Sequence, residues 1–408
     1  MCSSDLRPDI LQRCKAAGYD CAVFGHNHTW ENFYGDNTPG SGYPHHHTWD
    51  HDYRRFIPDG WQELKHQVRR PGFMPDEGVH GFAYAGCGPA HPLDEATVVQ
   101  ARHFLAAGRD RSRPFYLHVN IGAPHPGYGV EEPWFSRFDR ERIRAFPNRL
   151  PEGATLPFTA QRAVRTPPGD LDRICREVQA VYYGMIAKVD EQIGAILGTL
   201  RDQGLDDSTV VLFWADHGDF AGQYGLPEKW DTVMADCLLH VPCILRGPDL
   251  PRGSVVDALT ETVDLAPTLL ARLGLPALAD AHGADLEAEF AGRRRRPAVF
   301  AEGGHEEAMR ARFAGMPYAA RPDGKQRTYA TCPDSMARCK MVRSERWKLV
   351  VRETGGDELY DLAADPWELR NLHGRSEHDG TVASLQRLLL AWCLRTDPDR
   401  PHQSDFGA

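Results

Sequence analysis

The sequence predicts an α/β fold: a mixed, mostly parallel sheet flanked by helices, followed by a small C-terminal α+β subdomain. Three observations carry this. The first is a long amphipathic helix at 171–203, which passes Gly204 and a polar turn into the apolar run Thr209–Ala215. The second is that the same order, helix then short apolar run then polar loop, also occurs at 7–28 and at 93–125. The third is a change of pattern after the basic run Arg293–Arg296, where short strand-like segments replace long helices.

Each element has its own signal. In Pro8–Gly18, Leu11, Cys14 and Ala17 share a helical face, Gly18 suits the helix end, and Cys21–Phe24 reads as a short buried strand. Residues 30–92 mix Gly, Pro, His and aromatics without period and are expected to be long, substrate-facing loops. Residues 93–107 read as a helix, 114–121 as a strand, and the proline-rich 134–168 as irregular chain. In 171–203, Val178, Val181, Met185, Val189, Ile193, Ile196 and Leu200 recur at three- and four-residue steps. The uninterrupted run at 209–215 fits a strand buried on both faces of a parallel sheet. A strand at 241–246 and a helix at 262–273 follow. The four arginines at 293–296 read as a solvated linker, which divides the chain into 1–292 and 293–408. Strands at 298–301, 340–343 and 347–351 and a closing helix at 381–395 complete the second part.

Composition excludes several classes. Of the 408 residues, 41% are hydrophobic and 25% charged, an ordinary globular mix. A net charge of -10 speaks against nucleic acid as a partner. No apolar stretch is long enough for a membrane span, and the first residues have no apolar core of a signal peptide. Ten cysteines form no Cys-x-x-Cys pair; Cys14 with Cys21, and Cys332 with Cys339, are near in sequence but are expected to be free thiols.

Three strand candidates end in clusters of polar, metal-capable groups: Gly25-His26-Asn27-His28, Gly122-Ala123-Pro124-His125-Pro126 and Asp216-His217-Gly218-Asp219. Ligands of open α/β sheets bind beyond the carboxyl ends of strands, so the three clusters predict one site. Asp216 and His217 supply an oxygen and a nitrogen suited to a divalent metal, and Gly218 permits a tight backbone turn beside them. Lys229, thirteen residues after Asp216, is placed to neutralise a tetrahedral anion. His125, between two prolines, and His28 are candidates to bind an anion or protonate a leaving group. The run His45–His47 reads as solvated loop.

These motifs, in this order, resemble the sulfatases of the alkaline phosphatase superfamily. The resemblance rests on Pro114–Pro126, on Tyr183–Asp190 and its helix, on Ala215–Asp219 through Lys229, on Thr262–Thr268, and on Glu358–Leu362 with Asp365–Leu372. It implies an alkaline phosphatase-like fold and hydrolysis of a small-molecule or carbohydrate sulfate ester. It assigns the metal to Asp216 and His217, sulfate oxygens to His28 and Lys229, and leaving-group protonation or sulfate binding to His125. His26 stands where the family has a lysine. Calcium is the metal implied, with manganese or zinc as alternatives, and a periplasmic or secreted location. Arg343 and Arg346 are weaker candidates for substrate contact. Phosphonate monoester or phosphodiester hydrolysis, or anion binding without catalysis, are the alternatives.

The family's two adjacent aspartates and its Cys/Ser-x-Pro-x-Arg motif, source of the formylglycine nucleophile, have no counterpart here. The opening hexapeptide Met1–Leu6 matches the translation of a common sequencing-adapter end. Together these predict a fragment whose nucleophile segment lies upstream, and an inactive, aggregation-prone chain as it stands. The aromatic and His-rich loop at 30–60 points to a ring-bearing or sugar substrate.

Overall fold

The computed structural model describes residues 9–25, 71–74, 86–278, 281–293, 295–315 and 324–396. Helix α1 (Ile10–Ala16) starts from a capping box: the Asp9 carboxylate accepts from the Gln12 backbone, and the Gln12 side chain accepts from the Asp9 backbone. It buries Leu11 and Cys14, leaves Ala17 exposed, and is followed by Gly18 at a left-handed φ of +87°. Strand β1 (Asp20–Gly25) is almost wholly buried.

Two residues of β2 (Gly86–Cys87) lead to α2 (Pro92–His103). The helix expected to reach residue 107 widens instead into a π turn at Phe104–Gly108. Strand β3 (Phe115–Asn120) then pairs in parallel with β1, with Gly25 opposite Asn120. A Cβ on Gly25 would sit 1.9 Å from the Asn120 carbonyl oxygen, so only glycine lets the two strand ends close together. Strand β4 (Gly129–Val130) runs parallel to β2. Phe24, Ala101, Phe104 and Leu200 fill the core between this layer and its helices.

Helix α3 (Leu156–Arg165) lies within the stretch expected to be irregular. Its Pro157 occupies the first turn, where a missing N–H breaks no helical bond, so proline there starts a helix rather than excluding one. The long helix matches expectation as α4 (Leu171–Asp202), capped by the Asp170 carboxylate and followed by Gly204 at φ +66°.

Strand β5 (Val211–Trp214) corrects one expectation. It pairs antiparallel with β6 (Cys243–Arg246), reached through the short α5 (Asp236–Leu239), and its Trp214 is partly exposed. On β6, Ile244 is 60% exposed. A continuous apolar run records hydrophobicity and not the direction of its neighbour. Among the described residues β3 and β5 are not hydrogen-bonded to each other, although His118 and Trp214 meet edge to face with centroids 5.6 Å apart.

Helices α6 (Leu265–Arg272) and α7 (Glu287–Phe290) precede the C-terminal sheet. The arginine run before that sheet is not uniformly solvated: Arg296 binds Glu261, Asp264 and Glu289 at 2.9, 2.8 and 3.3 Å. Three carboxylates gathered by the fold hold that arginine, which charge density in sequence could not reveal.

The sheet is antiparallel, in the order β10–β9–β8–β7, from β7 (Val299–Gly303), β8 (Cys339–Arg343), β9 (Trp347–Arg352) and β10 (Glu358–Asp361). Between β7 and β8 lie α8 (Glu307–Ala314) and α9 (Gly324–Thr331), where the sequence pattern marks no element between its strands at 298–301 and 340–343. Helix α10 (Asp379–Thr396) closes the sheet, with Leu385 and Leu389 against Val342, Leu349 and Leu359. Cys14, Cys21, Cys332 and Cys339 are free thiols, as expected.

Candidate anion and metal site

Asp216 and His217 follow directly from the end of β5. The Asp216 side chain is 84% exposed, and its Oδ2 lies 3.5 Å from His217 Nε2. His217 Nδ1 is 2.8 Å from the Gly218 carbonyl, which can only accept, so that nitrogen carries the proton. The Nε2 lone pair is therefore left for a ligand, the usual way a backbone carbonyl orients a metal-binding histidine. An oxygen and an imidazole nitrogen this close fit a divalent cation. Among the described residues no group of three or more metal-binding side chains assembles.

Gly218 is forced by the neighbouring helix. Its N–H donates to the Leu238 carbonyl at 2.7 Å, and a Cβ there would meet the Cys237 carbonyl oxygen at 2.0 Å. Helix α5 thus fixes the turn that presents Asp216 and His217.

Lys229 and His125 come together from distant parts of the chain. Lys229 Nζ donates to His125 Nε2 at 2.8 Å, while His125 Nδ1 donates to the Pro126 carbonyl. His125 is held as the neutral imidazole. The residue is exposed at its outer edge, yet partial burial of its ring, with the Lys229 ammonium second, pushes its pKa down to about 4. Burial also lowers Lys229, against the pull of Glu228, and Asp216 lies close enough to act on the same charge. The turn that carries His125 hangs from Asp94, whose carboxylate accepts the N–H groups of Gly122 and Ala123, each at 2.8 Å. His91 Nε2 lies 2.6 Å from the His125 carbonyl.

A buried layer supports these groups. Asp219 accepts from the Tyr128 hydroxyl and from the Ala221 backbone, each at 2.7 Å, and the Glu228 backbone donates to the same hydroxyl at 2.7 Å. Burial raises Asp219 to about 6. Glu228 carries its own load: Oε2 accepts from Arg165 at 3.1 Å, and Oε1 lies 3.1 Å from Lys325 and 4.0 Å from Lys229. Burial would raise Glu228, but Lys325 and Arg165 outweigh it and hold the carboxyl below its ordinary range. The loop from Gly218 to Lys229 is conformationally demanding. Ala221, Tyr224 and Glu228 all take positive φ, at 43°, 58° and 64°. Such backbone persists only where surrounding contacts over-determine it, here the Tyr128 and Arg165 bonds.

The structure thus joins His125 to Lys229 and places Asp216 beside His217. His26, His28 and the His45–His47 run lie outside the described residues. Arg343 pairs with Asp236 at 3.3 Å, half-buried, and Arg346 pairs with Asp361 at 2.7 Å at the surface. Sequence reasoning missed Asp94, Tyr128, Arg165, Glu228 and Lys325. Glu228 alone carried a local signal, its place next to Lys229; the others are brought in by the fold.

Comparison with known proteins places the chain in a family. The family model described as Sulfatase matches residues 5–275. The chain belongs to the sulfatase family, within the alkaline phosphatase superfamily. It is 25% identical over 295 residues to arylsulfatase K of Gallus gallus, a match covering 68% of this chain and 51% of the relative. It is 28% identical over 211 residues to an N-acetylglucosamine-6-O-sulfatase of Bacteroides thetaiotaomicron, covering 51% of this chain and 34% of the relative. The chain therefore spans about half the length of the first of these relatives and less of the second. Its fold is shared with the phosphonate monoester hydrolase of Agrobacterium radiobacter, at a TM-score of 0.69 and 23% identity over 95% of this chain and 80% of that one.

Proposed function

We propose that this chain carries the anion-binding and metal-binding half of a sulfuric ester hydrolase. The observation that carries the reading is the Lys229–His125 contact of 2.8 Å, formed between two loops 104 residues apart in sequence. Asp216 and His217 Nε2 would hold a divalent cation, calcium by resemblance. When bound, that cation supplies Lewis-acid polarisation of a sulfate oxygen.

The chain's own residues do the rest. Lys229 meets the incoming anion with its ammonium group, trading its bond to His125 for one to a sulfate oxygen. His125 Nε2 is then free to face the ester oxygen. With its pKa near 4 the His125 imidazole is neutral and its Nε2 acts as an acceptor at neutral pH, so the acid that can protonate the departing alcohol is the Lys229 ammonium beside it. Asp94 and Tyr128 keep the two loops in register while this occurs. The formylglycine nucleophile that this chemistry requires has no Cys/Ser-x-Pro-x-Arg candidate in the 408 residues, so the reading assigns it to a segment they do not include. A sulfated carbohydrate is the substrate class, supported by the likeness to an N-acetylglucosamine-6-O-sulfatase and by the aromatic and His-rich sequence at 30–60.

Phosphonate monoester or phosphodiester hydrolysis is the second reading, favoured by the structural likeness to a phosphonate monoester hydrolase. Anion binding without catalysis is the third. The test is turnover by the protein expressed from its gene with the upstream sequence included. Hydrolysis of an aryl sulfate at least about ten-fold faster than an aryl phosphonate monoester supports the first reading. The reverse ratio establishes the second, and no turnover of either with retained sulfate binding the third.

A further inference from the structure

Glu228 is a single carboxylate set among three cations. Arg165, fully buried, takes one oxygen, while Lys325 and Lys229 lie 3.1 and 4.0 Å from the other. Two ammonium groups that near one atom are at most 7.1 Å (3.1 plus 4.0) from each other. Arg165 holds one oxygen of Glu228, so the two lysines share the other, and Asp219 and Asp216 also act on Lys229 while Lys325 has Glu228 as its ion-pair partner. Both lysines are partly open to solvent, with side chains 22% and 23% exposed.

Lys325 is not there by chance of a loose loop. Its helix α9 packs Tyr329 at a tilt against Trp230, the residue after Lys229, with centroids 4.9 Å apart, and Phe313 of α8 packs on Tyr329 at 5.2 Å. The following turn is pinned to the same loop, since the Ser335 carbonyl accepts from Trp230 Nε1 at 3.1 Å and from Thr232 Oγ1 at 2.6 Å. The α8–α9 segment is therefore fastened over the Lys229 loop and delivers one ammonium group to its edge.

We propose that Lys325 is a second anion ligand of the substrate: it leaves Glu228 to bind an acidic group, a carboxylate or a further sulfate, carried on the same sugar ring as the scissile ester. The substrate class is then a sulfated sugar bearing at least two negative charges. Glu228 serves as the resting partner that keeps Lys325 in place until the ligand arrives. This rests on the sulfatase reading above.

The experiment is calorimetric titration of the full chain with a neutral-sugar monosulfate and with the same sugar carrying an added carboxylate. Wild type is expected to bind the two-charged ligand about ten-fold more tightly, the worth of one charge-assisted hydrogen bond. Lys325→Met should remove that preference and leave monosulfate binding intact; Lys325→Arg should keep most of it. Equal loss for both ligands in Lys325→Met, with Lys325→Arg no better, would make Lys325 a structural ion-pair partner and overturn the proposal. So would a wild type that binds monosulfate without preferring the second charge, an outcome that leaves the sulfatase reading standing. A wild type that binds neither ligand defeats both.

Discussion

Two groups of charged residues in this protein use the same side chains to opposite ends. Under the C-terminal sheet, Lys348 is fully buried and gives its three N–H bonds to the Met234 carbonyl, Asp236 and Glu368, at 2.9, 2.5 and 2.6 Å. Glu368 also accepts the Asp236 backbone N–H at 2.6 Å. Burial raises Glu368 and would lower Lys348, but the two carboxylates outweigh it and raise the lysine. Every hydrogen of that ammonium is spent. In the loop from Asp216 to Lys229 the reverse holds. Asp216 is open to solvent, His217 keeps a free lone pair, and Lys229 is bound to a neutral histidine that a better acceptor can displace. A buried charge must be satisfied within the protein, whereas a binding site leaves charge to be satisfied by its ligand.

The two groups are mechanically connected. Asp236 begins α5, and the Leu238 carbonyl of α5 holds Gly218 beside Asp216 and His217. The spent cluster is thus the anchor for the unspent one.

That contrast can be broken from either side. The largest effect on stability is expected from Lys348→Met, which strands two carboxylates in the interior and should cost about 3–5 kcal/mol in urea unfolding. A loss under about 1 kcal/mol would mean that the cluster is hydrated and not the anchor described. Lys229→Met should do the opposite, weakening sulfate binding about 100-fold while changing unfolding by less than about 1 kcal/mol. Gly218→Ala joins the two regions. Its methyl group meets the Cys237 carbonyl, so about 1–3 kcal/mol of stability and the cation response should be lost together.

The pH dependence sharpens the site's half of the comparison. His125 falls from 6.5 unfolded to about 4 folded, so between these values the unfolded chain holds a proton that the folded chain lacks. Stability should therefore decline as pH drops from about 6.5 toward 4 and be restored above that window. His125→Gln should flatten the slope, modestly because the residue is exposed. The smallest effect is expected at Arg346→Ala, a surface pair with Asp361, whose unfolding in the same measurement should be indistinguishable from wild type.

How much of this was legible in the sequence follows the same division. Elements with strong period and clear ends, such as Leu171–Asp202 and its Gly204, were readable because local chemistry decides them. Motif order and spacing singled out Asp216, His217, His125 and Lys229, and the fold brings His125 to Lys229 and Asp216 to His217. The antiparallel pairing of β5 was not readable, since an apolar run is the same in either direction. Nor was α3, where Pro157 at a helix start looks like proline in a loop. The supporting residues Asp94, Tyr128, Arg165 and Lys325 stood beyond reach because each acts across a long chain separation. Tyr128 and Asp219 meet across 91 residues, and Lys325 and Glu228 across 97.

The most direct test of the account is sulfate binding by the full chain, measured calorimetrically with and without calcium, in wild type and in Asp216→Asn. The account predicts that calcium tightens sulfate binding in wild type by about ten-fold or more and has no effect in the variant, whose unfolding is otherwise unchanged. An equal calcium response in both proteins would contradict it, because the cation would then be held somewhere other than at Asp216 and His217.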